Sequence, residues 1–325
     1  MPYTSEDWPI AAALLQSPGT RADGSSVQDA DAGAWLETLA EVSRVGFDHL
    51  DLTDSWLRIA DLSPARLLEF ELAVATAGLS VPSLSITRRS VIDPVDGAAN
   101  LDYAHRTIDA AASIGVSVLS IGLHQPLTAE QREQLWFWTA PGASDPVGDP
   151  EVWTLAVDRI RELGEHAAAN DMVVSVELYE DTYLGTADSA VDLITDIGLD
   201  SVGINPDIGN LVRLHRPIER WEDMLAKTLP YANYWQVKNY FRDEDPTTGA
   251  VVSMPAPLEL GFINYRVAVR DALALGFQGV LCCEHYGGDG LGVSAINMRY
   301  LRSLLPSPEG AAAASTTTTA ERTAS

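Results

Sequence analysis

The chain has 325 residues, an apolar fraction of 46% and a formal charge of −25. That composition supplies a core for one large domain, and no apolar run approaches the roughly 20 residues that cross a bilayer, so no membrane is expected. A chain this acidic has no basic stripe with which to release counterions from a phosphate backbone, which excludes nucleic acid as a partner.

The opening residues MPYTSEDWPI lack the basic start and apolar centre of a signal peptide, so the expected location is the cytoplasm. From there, short apolar runs alternate with amphipathic segments. Strands are predicted near residues 10–15, 47–52, 80–86, 117–123, 173–177, 201–205, 234–237 and 279–284. Helices are predicted over 32–44, 64–76, 101–114, 151–170, 187–197, 217–229, 265–275 and 294–305. Several of them run into a glycine, as at Gly46, Gly78, Gly115, Gly198 and Gly276, which suits a left-handed cap before a turn into a strand. Eight βα units predict an α/β fold, a (β/α)8 TIM barrel that fills residues 1–305 as a single domain. The alternative is a doubly wound open sheet, but the loop after the first strand, QSPGTRADGSS, lacks the Gly-rich dinucleotide pattern.

Two long insertions, 124–150 and 239–262, fall at βα positions, where such barrels keep their active sites. The first contains Trp136-Phe137-Trp138. These rings read as a lid, or as a surface for a ring-bearing ligand or partner chain, or as plain packing on the barrel rim. The run YGGDGLG near the end reads as a flexible or phosphate-binding loop. The tail 306–325 has no apolar period and is expected to be disordered. Adjacent Cys282 and Cys283 point to opposite faces of a predicted strand, which suits core packing and neither a disulfide nor zinc.

The polar strand ends carry the chemistry. Glu177, Asp207, Gln236 and Glu284 close four successive strands. A charge directly after a buried strand is costly unless it is paired or bound, and strand carboxyl ends are where α/β folds hold ligands. Four oxygen donors in series therefore predict a site for one hard divalent cation. For each donor alone, capping by a neighbour is the other reading. Lys238, on the strand face of Gln236, is either a cation aimed at the substrate or the partner of a nearby carboxylate. His124 ends the fourth strand directly before the aromatic insertion and is a candidate general base near neutral pH. Arg88 and Arg89 are expected to face different ways, one of them holding a substrate carboxylate or hydroxyl. His49, Asp51 and Asp54 are further polar groups around the second strand. His105, His166 and His215 read as structural.

The segments VSVELYEDTYLG, VGINPDIGN, YWQVKNY and VLCCEHYGGDG resemble the fifth to eighth strands of the sugar phosphate isomerase/epimerase family, the xylose-isomerase-like TIM barrels, over roughly residues 8–305. The resemblance implies a divalent ion, manganese first and magnesium or cobalt next, on Glu177, Asp207, Gln236 and Glu284. It also implies proton transfer beside a sugar carbonyl by Glu177 and Glu284. Gln236 departs from the family's usual His, yet its carbonyl remains a competent hard-cation ligand, as in members similar to hydroxypyruvate isomerase. The aromatic insertion and the ending EHYGGDGLGVSAINMRYLRSLL resemble, within the family, the α subunits of C-glycoside deglycosidases. These cleave the carbon–carbon bond of a 3-oxo-glycoside in complex with a small β subunit. That likeness implies a lyase, with Glu177, Glu284, His124 and Lys238 catalytic and Arg88, Trp136, Trp138 and His285 around the glycoside. A sugar or sugar-phosphate isomerase/epimerase is the alternative, and a non-catalytic sugar-binding barrel is an alternative of another class. An oligomer is expected. A metal-dependent endonuclease shares the barrel but needs more His and Asp ligands and a basic surface.

Overall fold

The structure, a computed structural model, describes residues 2–309. Ten strands follow one another as β1 (Ile10–Ala13), β2 (His49–Thr53), β3 (Ser80–Ser85), β4 (Val118–Ile121), β5 (Val173–Glu177), β6 (Val202–Asn205), β7 (Tyr234–Val237), β8 (Asn239–Glu244), β9 (Val251–Ala256) and β10 (Val280–Cys283). Eight of them form one parallel sheet in the order β6-β5-β4-β3-β2-β1-β10-β7, and β8 and β9 form a separate antiparallel pair. The helices are α1 (Ala32–Arg44), α2 (Pro64–Thr76), α3 (Gly97–Ser113), α4 (Ala129–Glu133), α5 (Pro150–Ala168), α6 (Ala187–Ile197), α7 (Gly209–Val212), α8 (Trp221–Thr228), α9 (Tyr265–Ala274) and α10 (Gly290–Arg302). This is the expected TIM barrel, curled until β6 and β7 meet.

That last seam is closed mainly by side chains. Among the described residues, the one backbone bridge between the two edges joins Ile204 to Ala232. Beyond it the side-chain amide of Asn205 stands in for a ladder: its Oδ1 accepts from the Gln236 N–H at 2.9 Å and its Nδ2 donates to Gln236 Oε1 at 2.7 Å. Asn233 reaches across β6 to donate to the Val174 carbonyl at 2.9 Å. It crosses at Gly203, where a Cβ would lie 2.5 Å from the Asn233 side chain.

Strand alternation separates two cores. Ala11, Ala13, Val118, Tyr234, Val280 and Cys282 cluster inside the barrel, whereas Ala12, Leu50, Leu52, Leu119, Val174 and Cys283 pack outward against the helices. Cys282 and Cys283 are therefore buried on opposite faces and unbonded, as expected. Most inward residues near the top are small and polar, among them Ser83, Ser120 and Ser175, which leaves room for a site above them.

Helix starts follow capping chemistry. Asp31, Ser63, Asp149 and Thr186 each accept a backbone N–H from the first turn, and Pro64 and Pro150 sit at first helical positions. Gly198 ends α6 at φ 64°, the left-handed cap expected there. Three starts differ from expectation by four residues, one of them that of α8, which begins at Trp221 rather than at 217. α3 begins at Gly97 rather than at 101, and α10 at Gly290 rather than at 294. Both begin in glycine-containing segments of low helix propensity, which tertiary packing overrides. At Gly290 a Cβ would meet the movable end of the Gln16 side chain at 2.9 Å and the His285 carbonyl at 3.3 Å. The YGGDGLG run, expected as a loop, thus contributes its last three residues to α10.

The insertions also differ from plain loops. The second holds a hairpin in which Asn239 pairs with Ala256 and Glu244 with Val251. The first carries the five-residue α4, capped by Thr128, and a 3-10 turn at Phe137–Thr139. Of the tail expected to be disordered, residues 310–325 lie outside the described residues.

Candidate active site

The top of the barrel holds a cavity of 150 Å³ walled by Arg88, His124, Glu177, Tyr179, Gln236 and Glu284, among others. Glu177 arrives as the last residue of β5 and Glu284 directly after β10. Asp207 lies two residues beyond β6, below the cavity wall, where the short α7 turns back. Asn210 ties two of the acids together, since its Nδ2 donates to Glu177 Oε1 at 2.7 Å and to Asp207 Oδ2 at 3.3 Å. Lys238 ties two again: its Nζ is 2.7 Å from Asp207 Oδ2 and 3.0 Å from Glu284 Oε1. Of the two readings of Lys238, the geometry thus gives the carboxylate partner.

Burial and mutual repulsion govern the ionisation of this group. Loss of solvent pushes the Glu177 carboxyl well up; Lys238 opposes that shift and the charges of Asp207 and Glu284 add to it. Burial likewise raises Asp207, against the attraction of Lys238. For Lys238 burial disfavours the charge, but Asp207 and Glu284 outweigh it and hold the ammonium well above its ordinary range. Asp51, inside the barrel and bonded by Ser85 Oγ and the Tyr234 hydroxyl, is pushed up to about 6 by burial.

A divalent cation fits the donor chemistry. Two buried acids, Asp207 and Glu284, share a single ammonium beside the half-buried Glu177, and Asp207 Oδ1 is a buried oxygen without a partner. Charge and oxygen donors are what a hard cation needs. The expected ligands are nonetheless not gathered as a ready set. Among the described residues no three His, Cys, Asp or Glu side chains hold metal-ligating geometry. Lys238 occupies the space between two of the acids, and Gln236 Oε1 already accepts from Asn205.

His124 stacks on Tyr179 with ring centroids 4.8 Å apart. Burial drives its imidazole down to about 3, helped by the positive charges of Arg88, Arg213 and Lys238. It is therefore neutral near pH 7. The expected general base is corrected to a weak one, because its surroundings are apolar and cationic. Arg88 is held over the cavity by Tyr179, whose hydroxyl accepts from its Nη2 at 3.0 Å, and by the Gln125 carbonyl. Its backbone is left-handed at φ 54°, rare for a residue with a Cβ. Arg89 faces away and pairs with Asp54 at 2.9 Å, as the divergent directions predicted.

Trp136 and Trp138, expected to touch the glycoside, do not line the cavity. They stack on each other at 5.1 Å. Trp138 packs edge-on against Tyr240 and Tyr286, and Trp136 lies against Gly287. Beneath them is Arg213, fully buried, its Nη2 donating at 2.8 Å to both oxygens of Glu180. Its guanidinium sits 4.8 Å from the Phe137 ring and 5.1 Å from that of Trp138. The insertion is thus packed on the rim by a cation the sequence did not flag, since a buried arginine has no periodic signature. His285 also lies outside the cavity wall, half-buried. His49 opens β2 at the opposite end of the barrel and meets Ser80 Oγ at 2.7 Å. His105 and His166 pair at 2.8 Å between α3 and α5, and His215 accepts from Ser253, all apart from the site. Sequence reasoning missed Asn205, Asn210 and Arg213. The first two were within reach, because NPDIGN places them two residues before and three after Asp207.

A (β/α)8 barrel with an acid-rich floor at the carboxyl ends of its strands is an enzyme-type architecture. Residues 39–304 match the family described as xylose isomerase-like TIM barrel, and the chain belongs to that family. A xylose isomerase-like TIM barrel protein from Mycobacterium smegmatis, solved in complex with magnesium, is similar at 49% identity and TM-score 0.90, over 93% of this chain and 98% of that one. D-Psicose 3-epimerase from Clostridium cellulolyticum H10, solved with D-tagatose, shares the fold at 14% identity and TM-score 0.64, over 92% and 99%. A 3-keto-D-glucoside 4-epimerase from E. coli does so at 15% and 0.64, over 91% and 100%. Curated proteins give no significant sequence match.

Proposed function

We propose that this protein is a divalent-metal-dependent sugar isomerase or epimerase that moves a proton beside a sugar carbonyl. The observation that carries the reading is that Glu177 and Glu284 stand on the wall of a cavity of 150 Å³ while the buried Asp207 is joined to the first through Asn210 and to the second through Lys238. Glu177, Asp207, Glu284 and the Gln236 carbonyl would hold the ion, magnesium as in the mycobacterial relative, or manganese. The chemistry supplied by such an ion is polarisation of a carbonyl and its neighbouring hydroxyl, which acidifies the adjacent C–H. Glu177 and Glu284 face the same cavity, one to take that proton and the other to return one; burial favours the protonated form of Glu177, and the charge of Lys238, like that of a bound cation, favours the carboxylate that a base requires. Neutral His124 serves as a hydrogen-bonding group for a substrate hydroxyl, Arg88 holds the substrate at the mouth, and the Tyr179 side keeps water out.

The lyase reading loses its support in this geometry. It relied on Trp136 and Trp138 stacking on an aromatic aglycone, whereas Trp138 packs on Arg213 and Tyr286 and Trp136 stacks on Trp138. A cavity of 150 Å³ also falls below the roughly 300 Å³ at which drug-sized ligands are accommodated, so a monosaccharide fits better than a flavonoid glycoside. The proteins that share the fold are epimerases by name, one of D-psicose and one of a 3-keto-D-glucoside, which supports epimerisation over cleavage. A small second subunit would accompany only the lyase; co-purification of a small chain is the check.

The test is incubation of the protein with magnesium or manganese and a panel of free ketoses and 3-keto-glucosides in D2O. Deuterium is expected at the carbon beside the carbonyl, together with the epimer or isomer. Glu177→Gln should lower that exchange at least about 100-fold, the scale of a lost general base. Cleavage of a 3-oxo C-glycoside without exchange into any ketose would overturn the proposal in favour of the lyase.

A further inference from the structure

We infer that Lys238 is a resident counter-ion which a divalent cation must displace to load the site, an inference that rests on the metal reading above. Its Nζ bridges Asp207 Oδ2 at 2.7 Å and Glu284 Oε1 at 3.0 Å, with all three side chains no more than 3% exposed. The same Asp207 oxygen accepts from Asn210, which also donates to Glu177. The Asp207 oxygen that Asn210 links to Glu177 is therefore the one the ammonium holds. An entering ion competes with a charge tethered at high effective concentration, and it must outbid two charge-assisted contacts before it gains its ligands. The same bridge accounts for the lack, among the described residues, of any preassembled metal-ligating group of acids.

The stem of Lys238 decides where the displaced head goes. Gly209 packs on it so closely that a Cβ there would lie 2.6 Å from Lys238 Cγ, which pins the inner half of the chain. The outer carbons remain to swing, and the ring of Tyr286 stands 5.4 Å from Nζ. Tyr286 also lines the cavity. A head moved onto that ring keeps a cation–π partner and brings a positive charge to the substrate side. Loading the metal and arming the cavity with a cation then become one event.

The experiment strips the full chain of metal and titrates Mn2+ by calorimetry into the wild type and Lys238→Met, with Tm recorded for each. The variant is expected to bind Mn2+ about tenfold or more tightly, to melt lower than the wild type without metal, and to gain more Tm on loading. Equal or weaker Mn2+ binding by Lys238→Met would overturn the inference, for then the lysine supports the ligands instead of competing. Asp207→Asn separates this from the metal reading: loss of Mn2+ binding there keeps the site even if Lys238 proves supportive. Absence of binding in both wild type and Lys238→Met removes the metal site and the inference together. Should Lys238→Met fail to fold, a crystal structure of the Mn2+-loaded wild type decides: Nζ is expected away from Asp207 Oδ2, and its persistence on both carboxylates overturns the displacement.

Discussion

Arg88 shows how a single backbone angle and a single head group separate binding from stability. A non-glycine residue at φ 54° costs on the order of 1 kcal/mol, and it persists here where the guanidinium is held over the cavity. Asparagine tolerates that region while removing the charge. Arg88→Asn is therefore expected to raise KM about tenfold, leave kcat within a few-fold and shift Tm little, as steady-state kinetics and a melting curve would show. His124 makes the complementary case through pH. Its imidazole is neutral in the folded protein down to about 3, whereas the unfolded chain takes the proton near the ordinary 6.5. The unfolded state binds more protons in that window, so this contribution is complete above pH 6.5 and is lost as pH falls towards 3. Between pH 7 and pH 5 the loss from this residue is about 2 kcal/mol. Urea unfolding of His124→Gln at the two values should show the wild-type decline reduced by that amount; an unchanged decline would place the acid sensitivity elsewhere.

At the scale of elements, the first insertion is fastened by Arg213. The arginine is buried with Glu180 and roofed by Phe137 and Trp138. Removing one partner of a buried pair leaves the other charge unpaired, so Arg213→Met should cost about 3–5 kcal/mol in urea unfolding and open residues 124–150 to proteolysis. A cleavage pattern that stays as in the wild type would mean the rings hold the insertion without the cation. Neither the hairpin of β8 and β9 nor this fastening was legible in the sequence. The insertions were visible as breaks in the βα rhythm, but what a loop packs against is a long-range fact that local periodicity does not encode. The strands and most helices were legible, because alternation and caps such as Ser63-Pro64 and Asp149-Pro150 are local.

For the molecule as a whole, stability and chemistry sit at opposite ends of the barrel. Below β1, Trp8 is fully buried, donates from Nε1 to the Gly279 carbonyl at 3.0 Å and stacks on Phe277. Arg302, at the end of α10, donates to the carbonyls of Ser5 and Trp8 and clips the chain ends together. Trp8→Ala should cost about 3–5 kcal/mol while leaving KM unchanged under conditions where the variant is folded. A raised KM would couple the two ends.

The sequence by itself determined the barrel and pointed to four oxygen-bearing side chains towards its strand ends, since eight repeats of an apolar run and an amphipathic segment leave few other packings and a polar residue after a buried run marks the strand's end. It also determined that Arg88 and Arg89 diverge. Only the tertiary structure decided that Lys238 bridges Asp207 and Glu284, that Asn205 closes the seam on Gln236, and that Phe137 and Trp138 turn to Arg213 rather than to the cavity. Each of these joins residues on different elements, and the strength and ionisation of such contacts depend on burial, which exists only once the chain has closed.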